Sequence, residues 1–361
     1  MSPRNYYFSR DTASARYEAW WNAGRLDRSP VTLYVESKNS PPMPRSTHAT
    51  LRERWLDVEF QVESALVGLE NNPCLGDSVP TWMPNVGPDL TSTLFGAELI
   101  FGENTSWCQH TIPEITDWER FIDTPPNFTN IYWKAIEEMI DLAAERFAGR
   151  FYVSMPDLHG TFDILAGLRG PENLCLDIMD DPELVRRAAQ HATRAYIEGY
   201  RRLYQRLTAF GQPSTTWCSY LHDGTAYVPS CDFWCLVSKE IGEDLIRPTI
   251  ELEMVPLERT IFHLDGPQAL HHLDVTLRLP RLNALQWVYG AGHGRAMDWL
   301  HVYRRSLEAG KAVQILAEDA NDALGVLREL GPAGLWLTVC SPFSNIDRAT
   351  EFLDSVHSLS S

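Results

Sequence analysis

The sequence predicts a (β/α)8 barrel. Two features carry that expectation: eight short β-rich runs alternate with helical patterns along the chain, and the helix-to-strand connections are short. A third is chemical. Four runs in the C-terminal third stop at a polar or thiol residue: TIFHLDGP at His263 and Asp265, LQWVYGAGHG at Gln286, Trp287 and His293, VQILAED at Glu318, and LWLTVCSPF at Cys340. An α/β barrel delivers side chains to its active-site mouth in this rhythm. Alternate residues of a strand share a face, so Ile261, His263 and Asp265 are expected to point one way. If that way is the barrel axis, an imidazole, a carboxylate and a distant thiol can converge.

The first strand is expected at PVTLYVES, after the turn LDRSP and before a polar, Pro-rich loop, SKNSPPMPRSTH. A helical pattern follows from Thr50 to Asn71. SVPTWMPNVGPDL reads as the second strand and a Gly-Pro loop, with Asp89 just past it. Residues 95–123 have strand-like pieces without helical period, and an excursion, a small hairpin over the barrel mouth, is expected there. A helix from Asn130 to Phe147 leads to the third strand, RFYVSMPDLHG, which ends in Asp157 and His159. In DDPELVRRAAQ, Asp181 is an N-cap, Pro182 takes the first helical position and Glu183 lies in the first turn. STTWCSY is the expected fourth strand, ending in a loop with Tyr220, His222 and Asp223. After a helix from Cys235 to Val255 come strands five to eight, RTIFHL, NALQWVY, AVQILAE and GLWLTVC, and a last helix from Asn345 to Leu359. A chain of this length forms a single barrel domain, residues 1–361.

Composition narrows the class of function. The 361 residues are 44% hydrophobic and 22% charged, with 12 Trp and 13 Tyr to fill a large core or line a cleft. The formal net charge of -17 disfavours nucleic acid and anionic membrane as partners, and no basic cluster offsets it. The start has no apolar leader, and no run approaches the length of a spanning helix. The 7 cysteines are scattered, without a CxxC pair, as in a reduced cytoplasmic protein.

Five segments carry a resemblance: LDRSPVTLYV, CDFWCLVSKEIGEDLIRPTI, FHLDGPQALHHLDVTLRLPRLNALQWV, GKAVQI and VCSPFSNIDRATEFLDSV. Together, over nearly the whole chain, they resemble the uroporphyrinogen decarboxylase superfamily. That superfamily includes cobamide-dependent coenzyme M methyltransferases and is similar in design to cobalamin-independent methionine synthase. The nearest likeness is to a bacterial branch labelled as a trimethylamine corrinoid protein type. The resemblance implies a uroporphyrinogen decarboxylase-like barrel with its cleft at the C-terminal strand ends. In the methyltransferase branch it implies a Zn2+ held by a His-x-Cys pair and a late Cys, activating a thiol. His263 matches the His and Cys340 the late Cys, whereas Asp265 stands at the first Cys and Gln286 at a carboxylate ligand position of methionine-synthase-like relatives. Glu318 is a spare carboxylate at the neighbouring strand end. Carboxylate in place of thiolate makes the set harder and more tolerant of Fe2+ or Mn2+. In the decarboxylase branch the resemblance implies a metal-free site with a key Asp, matched by Asp89, and an arginine-rich signature after the first strand. Here LYVESKNSPP stands in its place, without an arginine. Asp232-Phe-Trp234 is similar to that branch's Asp-Ser-Trp.

Three functions follow. The first is a cytoplasmic methyl or alkyl transferase. His263, Asp265 and Cys340, with Glu318 in reserve, hold Zn2+ or another divalent metal, and His159, Tyr220, Asp223, Gln286 and Trp287 line a small-molecule pocket. Asp89 orients or protonates the substrate, and a corrinoid or corrinoid protein is the implied methyl donor over the mouth. The second is a metal-free decarboxylase or lyase with Asp89 as electrostatic group and His263 as acid-base. The third is a corrinoid or tetrapyrrole carrier without turnover. A homodimer is the assembly the resemblance implies. Each residue also has a plainer reading. His263 can be a satisfied core histidine, Asp265 a helix N-cap, Cys340 a small buried residue, Glu318 a helix-dipole acid and Asp89 a turn residue.

Overall fold

The computed structural model describes residues 5–36 and 41–360, so the first part of the Pro-rich loop lies outside it. Ten strands are present: β1 (Val31–Thr32), β2 (Thr81–Trp82), β3 (Leu99–Phe101), β4 (Ser106–Cys108), β5 (Tyr152–Val153), β6 (Ala226–Tyr227), β7 (Arg259–Asp265), β8 (Ala284–Val288), β9 (Ala312–Ala317) and β10 (Leu335–Val339). Six form one curled parallel sheet in the order β1-β10-β9-β8-β7-β6. β2 and β5 form a separate parallel pair, and β3 and β4 an antiparallel hairpin. Between β1 and β2 the link is made outside any ladder. The Asp77 N–H donates to the Val31 carbonyl (2.7 Å), and the Ser78 hydroxyl accepts from the Leu33 N–H (2.9 Å).

The expected fourth strand is where the ladders stop. Of Ser214–Tyr220 only Ser214 forms a β-bridge, and it is antiparallel, to His222. Thr216 winds the segment into a turn, accepting the Cys218 N–H on its hydroxyl and the Ser219 N–H on its carbonyl, and Ser219 has φ +59. A residue in the left-handed region cannot continue a strand. β6, ten residues further on, pairs with β7 instead, Ala226 opposite Arg259 and Tyr227 opposite Thr260. Among the described residues, then, the paired strands form a half-barrel of six with a separate pair, not a continuous ring.

The helices follow the capping chemistry of the sequence. Asn130 accepts the N–H groups of Tyr132 and Trp133 to start Ile131–Phe147, and Asp181 accepts that of Leu184 to start Pro182–Ala209. The pattern over residues 50–71 divides into Leu51–Leu56 and Val58–Glu70, because Asp57 caps the second helix by accepting the Phe60 N–H. Residues 235–255 also break up, into Lys239–Ile241, a π-turn at Gly242–Ile246 and Arg247–Glu253, where Pro248 removes a helix donor.

Strand alternation sorts the core into two clusters. Phe262, Leu264, Leu285, Trp287, Val313, Ile315, Leu335 and Leu337 face the helices. Ile261, Ala284, Ala312 and Trp336 face inward near the strand starts, where Tyr17, Trp20 and Trp21 of the helix Arg10–Trp21 join them. Two of the four inward positions are alanine, which leaves room for the indoles. Trp20 lies 5.3 Å from Trp336, edge to face, and donates its N–H to the Val313 carbonyl. The first helix thus closes the N-terminal end of the sheet and leaves chemistry to the other end. No helix among the described residues is long and apolar enough to cross a membrane.

Candidate active site

At the C-terminal strand ends, three ligand-bearing side chains meet. Asp232, His263 and Asp265 each place one ligand atom within 4.8 Å of the others, the one such group of three among the described residues. His263 and Asp265 come from β7 two residues apart, as the shared strand face requires. Asp232 comes from the short turn Asp232–Leu236 after β6, in the sheet position beside β7. Burial and then the charge of Asp232 push the Asp265 carboxyl above its usual range, with His263 opposing.

His263 is oriented from below. Its Nδ1 hydrogen-bonds Gln286 Oε1, its register partner on β8. The Gln286 amide N–H groups are committed to Gln314 Oε1 (2.8 Å) and Cys218 Sγ (3.2 Å), so the Gln286 oxygen faces the ring and Nδ1 carries the proton. In the neutral ring this leaves Nε2 its lone pair, the form in which imidazole ligates metal. The chain continues from Gln314 Nε2 to Thr338 Oγ1 (3.0 Å), a polar belt across β7 to β10 above the indole layer.

A pocket of about 340 Å³ adjoins this group and shares Asp232 with it. Asp89, in the 3-10 helix Pro88–Phe95 that follows β2, His159 after β5 and Asp163 line its polar side. His159 Nδ1 stands 3.5 Å from Asp89 Oδ1, with 19% of its side chain exposed. Burial opposes its charge, but the Asp89 contact and the charges of Asp157 and Asp163 outweigh burial and carry its pKa up to about 10. Asp163 accepts the N–H groups of Asp232 (3.1 Å) and Phe233 (2.8 Å), which fixes the Asp232 turn; burial lifts its own pKa to about 6. Burial likewise raises Asp157, which senses both His159 and His263. The hairpin β3–β4, within the predicted excursion, covers the pocket with Trp107 and Cys108. Asp89 Oδ2 accepts the Cys108 N–H (2.9 Å), tying the hairpin to that 3-10 helix, and burial pushes the Cys108 thiol up to about 12, so it stays protonated.

Several expected site residues lie elsewhere. Cys340 is exposed and outside the ligand group; its N–H donates to the Ala317 carbonyl. Glu318 is 61% exposed and ion-paired to Arg295 (3.0 Å), turned away by the helix that Asp319 caps. Tyr220 is fully buried against Trp21, 5.3 Å edge to face, within the closed N-terminal cluster, because the Ser219 turn sends it down. Asp223 is 77% exposed and pairs with Arg10 (2.9 Å) of the first helix, at that same closed end. Trp287 follows the inward Gln286 and so faces outward, buried against Trp299 at 5.2 Å. Asp89, His159, His263, Asp265 and Gln286 are the expected residues that do gather at the mouth. Asp232 and Asp163 were not anticipated there. Asp232-Phe-Trp234 carried the signal for the first; Asp163, one turn into a helix, carried none.

No family model matches the sequence, and no curated protein does. Among solved structures the chain is similar to a methyltransferase from Methanosarcina mazei, with a TM-score of 0.61 at 12% identity over 97% of this chain and 99% of that one. A B12-independent methionine synthase from a Shewanella species aligns over 74% of each chain at 10% identity with a TM-score of 0.37, too slight a likeness to carry weight. The first likeness shows that the chain shares a mixed α/β fold with that methyltransferase, in agreement with the expected α/β class, while the complete eight-stranded ring is not seen among the described residues.

Proposed function

We propose that this chain is a divalent-metal-dependent methyl or alkyl transferase, acting at the C-terminal strand ends of its curled parallel sheet on a small molecule in the pocket beside Asp232. The meeting of Asp232, His263 and Asp265 beside that pocket, which shares Asp232, carries the proposal. Two carboxylates and an imidazole form a hard donor set that suits Zn2+, Fe2+ or Mn2+. The set fits a cation on electrostatic grounds as well, since Asp265 is held above its usual range beside Asp232, a cost that positive charge relieves. When bound, the metal supplies Lewis acidity that favours the deprotonated, nucleophilic form of a thiol or similar group. The chain's own residues do the rest. Gln286 fixes the His263 tautomer, Asp163 holds the Asp232 turn, and Asp89 with His159 presents a protonated imidazole to the substrate. A corrinoid is too large for about 340 Å³ and would serve from over the mouth, at Trp107.

The Asp89–His159 pair favours one further reading, a metal-free decarboxylase in which the charged imidazole stabilises the developing carbanion. No Lys or Arg lines the pocket to hold carboxylate substituents, which weighs against it. One assay separates the two. Under anaerobic conditions, methylcobalamin and 2-mercaptoethanol are incubated with protein, with and without Zn2+ or Mn2+. The expected outcome is metal-dependent cob(I)alamin and methyl thioether, abolished by His263→Ala. Absence of transfer with every metal would refute the transferase reading.

A further inference from the structure

We infer that the pocket beside Asp232 takes a small organic cation, an alkyl-substituted ammonium or sulfonium group. The inference rests on the reading of this pocket as the substrate site and names the class of its occupant. Three carboxylates line it, Asp89, Asp163 and Asp232, beside two imidazoles, His110 and His159, the second already held by Asp89. Asp157 lies behind them, near enough to act on His159. No Lys or Arg is among the lining residues, and the nearby Arg169 is closed by Asp177 through two bonds of 2.8 and 3.0 Å. An anionic substrate would find no Lys or Arg, and the His159 imidazolium it met is already held by Asp89. If a divalent ion took Asp232, Asp89 and Asp163 would still line the pocket.

The rest of the wall sets the ligand's other property. Trp107, Phe233 and Leu236 give an apolar and aromatic surface, with Trp107 50% and Leu236 54% exposed at the rim among the described residues. At the floor, Gly167 lets the hairpin pack close: a Cβ there would come within 2.8 Å of Cys108 Sγ and 3.3 Å of Asp89 Oδ1. Carboxylates behind aromatic and aliphatic walls suit a cation whose charge is spread over alkyl groups, because such an ion sheds water cheaply and rests on a π face. A bare metal ion has no use for that wall, and a neutral alkyl compound no use for the carboxylates.

The test compares three molecules of nearly one shape: choline (cationic), 3,3-dimethylbutan-1-ol (neutral) and 3,3-dimethylbutanoate (anionic). Binding to the full chain in EDTA is read by calorimetry and tryptophan fluorescence. Choline is expected to bind at least about tenfold tighter than the neutral isostere, with no binding of the anion. Asp232→Asn is expected to shrink that preference severalfold, while Trp107→Ala weakens choline and alcohol alike and lowers the fluorescence response. Equal affinity for choline and alcohol, preference for the anion, or no choline binding would overturn the inference. Metal titration of the same samples keeps the two claims apart. Choline binding without metal binding defeats the metal-site reading alone, and metal binding without a cation preference defeats this one alone.

Discussion

Asp89→Asn should lower the pKa of His159 by about 2 units, a step of about 3 kcal/mol between its two protonation states. At the observed 3.5 Å, unit charges attract by about 5 kcal/mol at the effective dielectric of a partly buried pair, close to the whole rise from 6.5 to about 10. Asparagine keeps an oxygen for the Cys108 N–H and removes the charge, so the fold is spared while the electrostatic contribution is lost. Asp157 and Asp163 still face the imidazole, which is why the fall stops short of the full shift. The stability consequence has a definite sign. A histidine whose folded pKa is raised contributes stability that is complete below its unfolded value near 6.5 and is lost as pH rises through about 10. Wild-type protein should therefore lose stability between pH 7 and 10 by about 2 kcal/mol more than Asp89→Asn does. NMR titration of the imidazole, assigned with His159→Gln, reads the pKa, and urea unfolding across that pH range reads the stability. A wild-type His159 titrating below 7, or an Asp89→Asn variant with an unshifted imidazole, would refute the electrostatic argument.

Other outcomes follow from particular contacts. Asp77 is fully buried and accepts from Arg16 (2.9 Å), Arg28 (2.6 Å) and the Val31 N–H (2.8 Å), so Asp77→Ala strands the buried Arg28 and should cost about 3–5 kcal/mol in urea unfolding. Gly160→Ala would drive its methyl into the Ser230 carbonyl where the His159 loop passes β6, and should destabilise by about 1–3 kcal/mol while disturbing the His159 resonance. Gln286→Leu removes the acceptor that fixes His263 and should weaken divalent-metal binding by about 10–100-fold in a competitive titration, while stranding the buried Gln314 oxygen should cost about 1–3 kcal/mol of stability.

The half of the molecule that was legible in the sequence is the half with long strands. β7 to β10 are apolar runs of five to seven residues whose period separates inward His263 and Asp265 from outward Phe262 and Leu264. The same period, applied to β8, places Trp287 opposite Gln286, and assigning both to the pocket broke that rule. β1, β2, β5 and β6 are pairs of residues, too short for periodicity to mark. The Ser214–Tyr220 segment has strand composition, yet the Thr216 turn and the positive φ of Ser219 overrule it. The metal candidates split along similar lines. His263 and Asp265 are neighbours on one strand, whereas Asp232 joins them only because β6 pairs with β7, a long-range fact. Cys340 and Glu318 are at strand ends as expected, but a strand end fixes height along the sheet, not the direction of the side chain.

The central claim is that Asp232, His263 and Asp265 form one divalent-metal site. Its most direct test is competitive chelator titration of Zn2+ and Mn2+ against wild type, Asp232→Ala, Cys340→Ser and Glu318→Gln, with folding checked by circular dichroism. Wild type should bind about one ion per chain, more tightly as pH rises and the raised Asp265 deprotonates. Asp232→Ala should lose that binding by at least about 100-fold, with Cys340→Ser and Glu318→Gln unchanged. Release of the ion by Cys340→Ser but not by Asp232→Ala would contradict the account, as would a wild-type chain that binds neither metal.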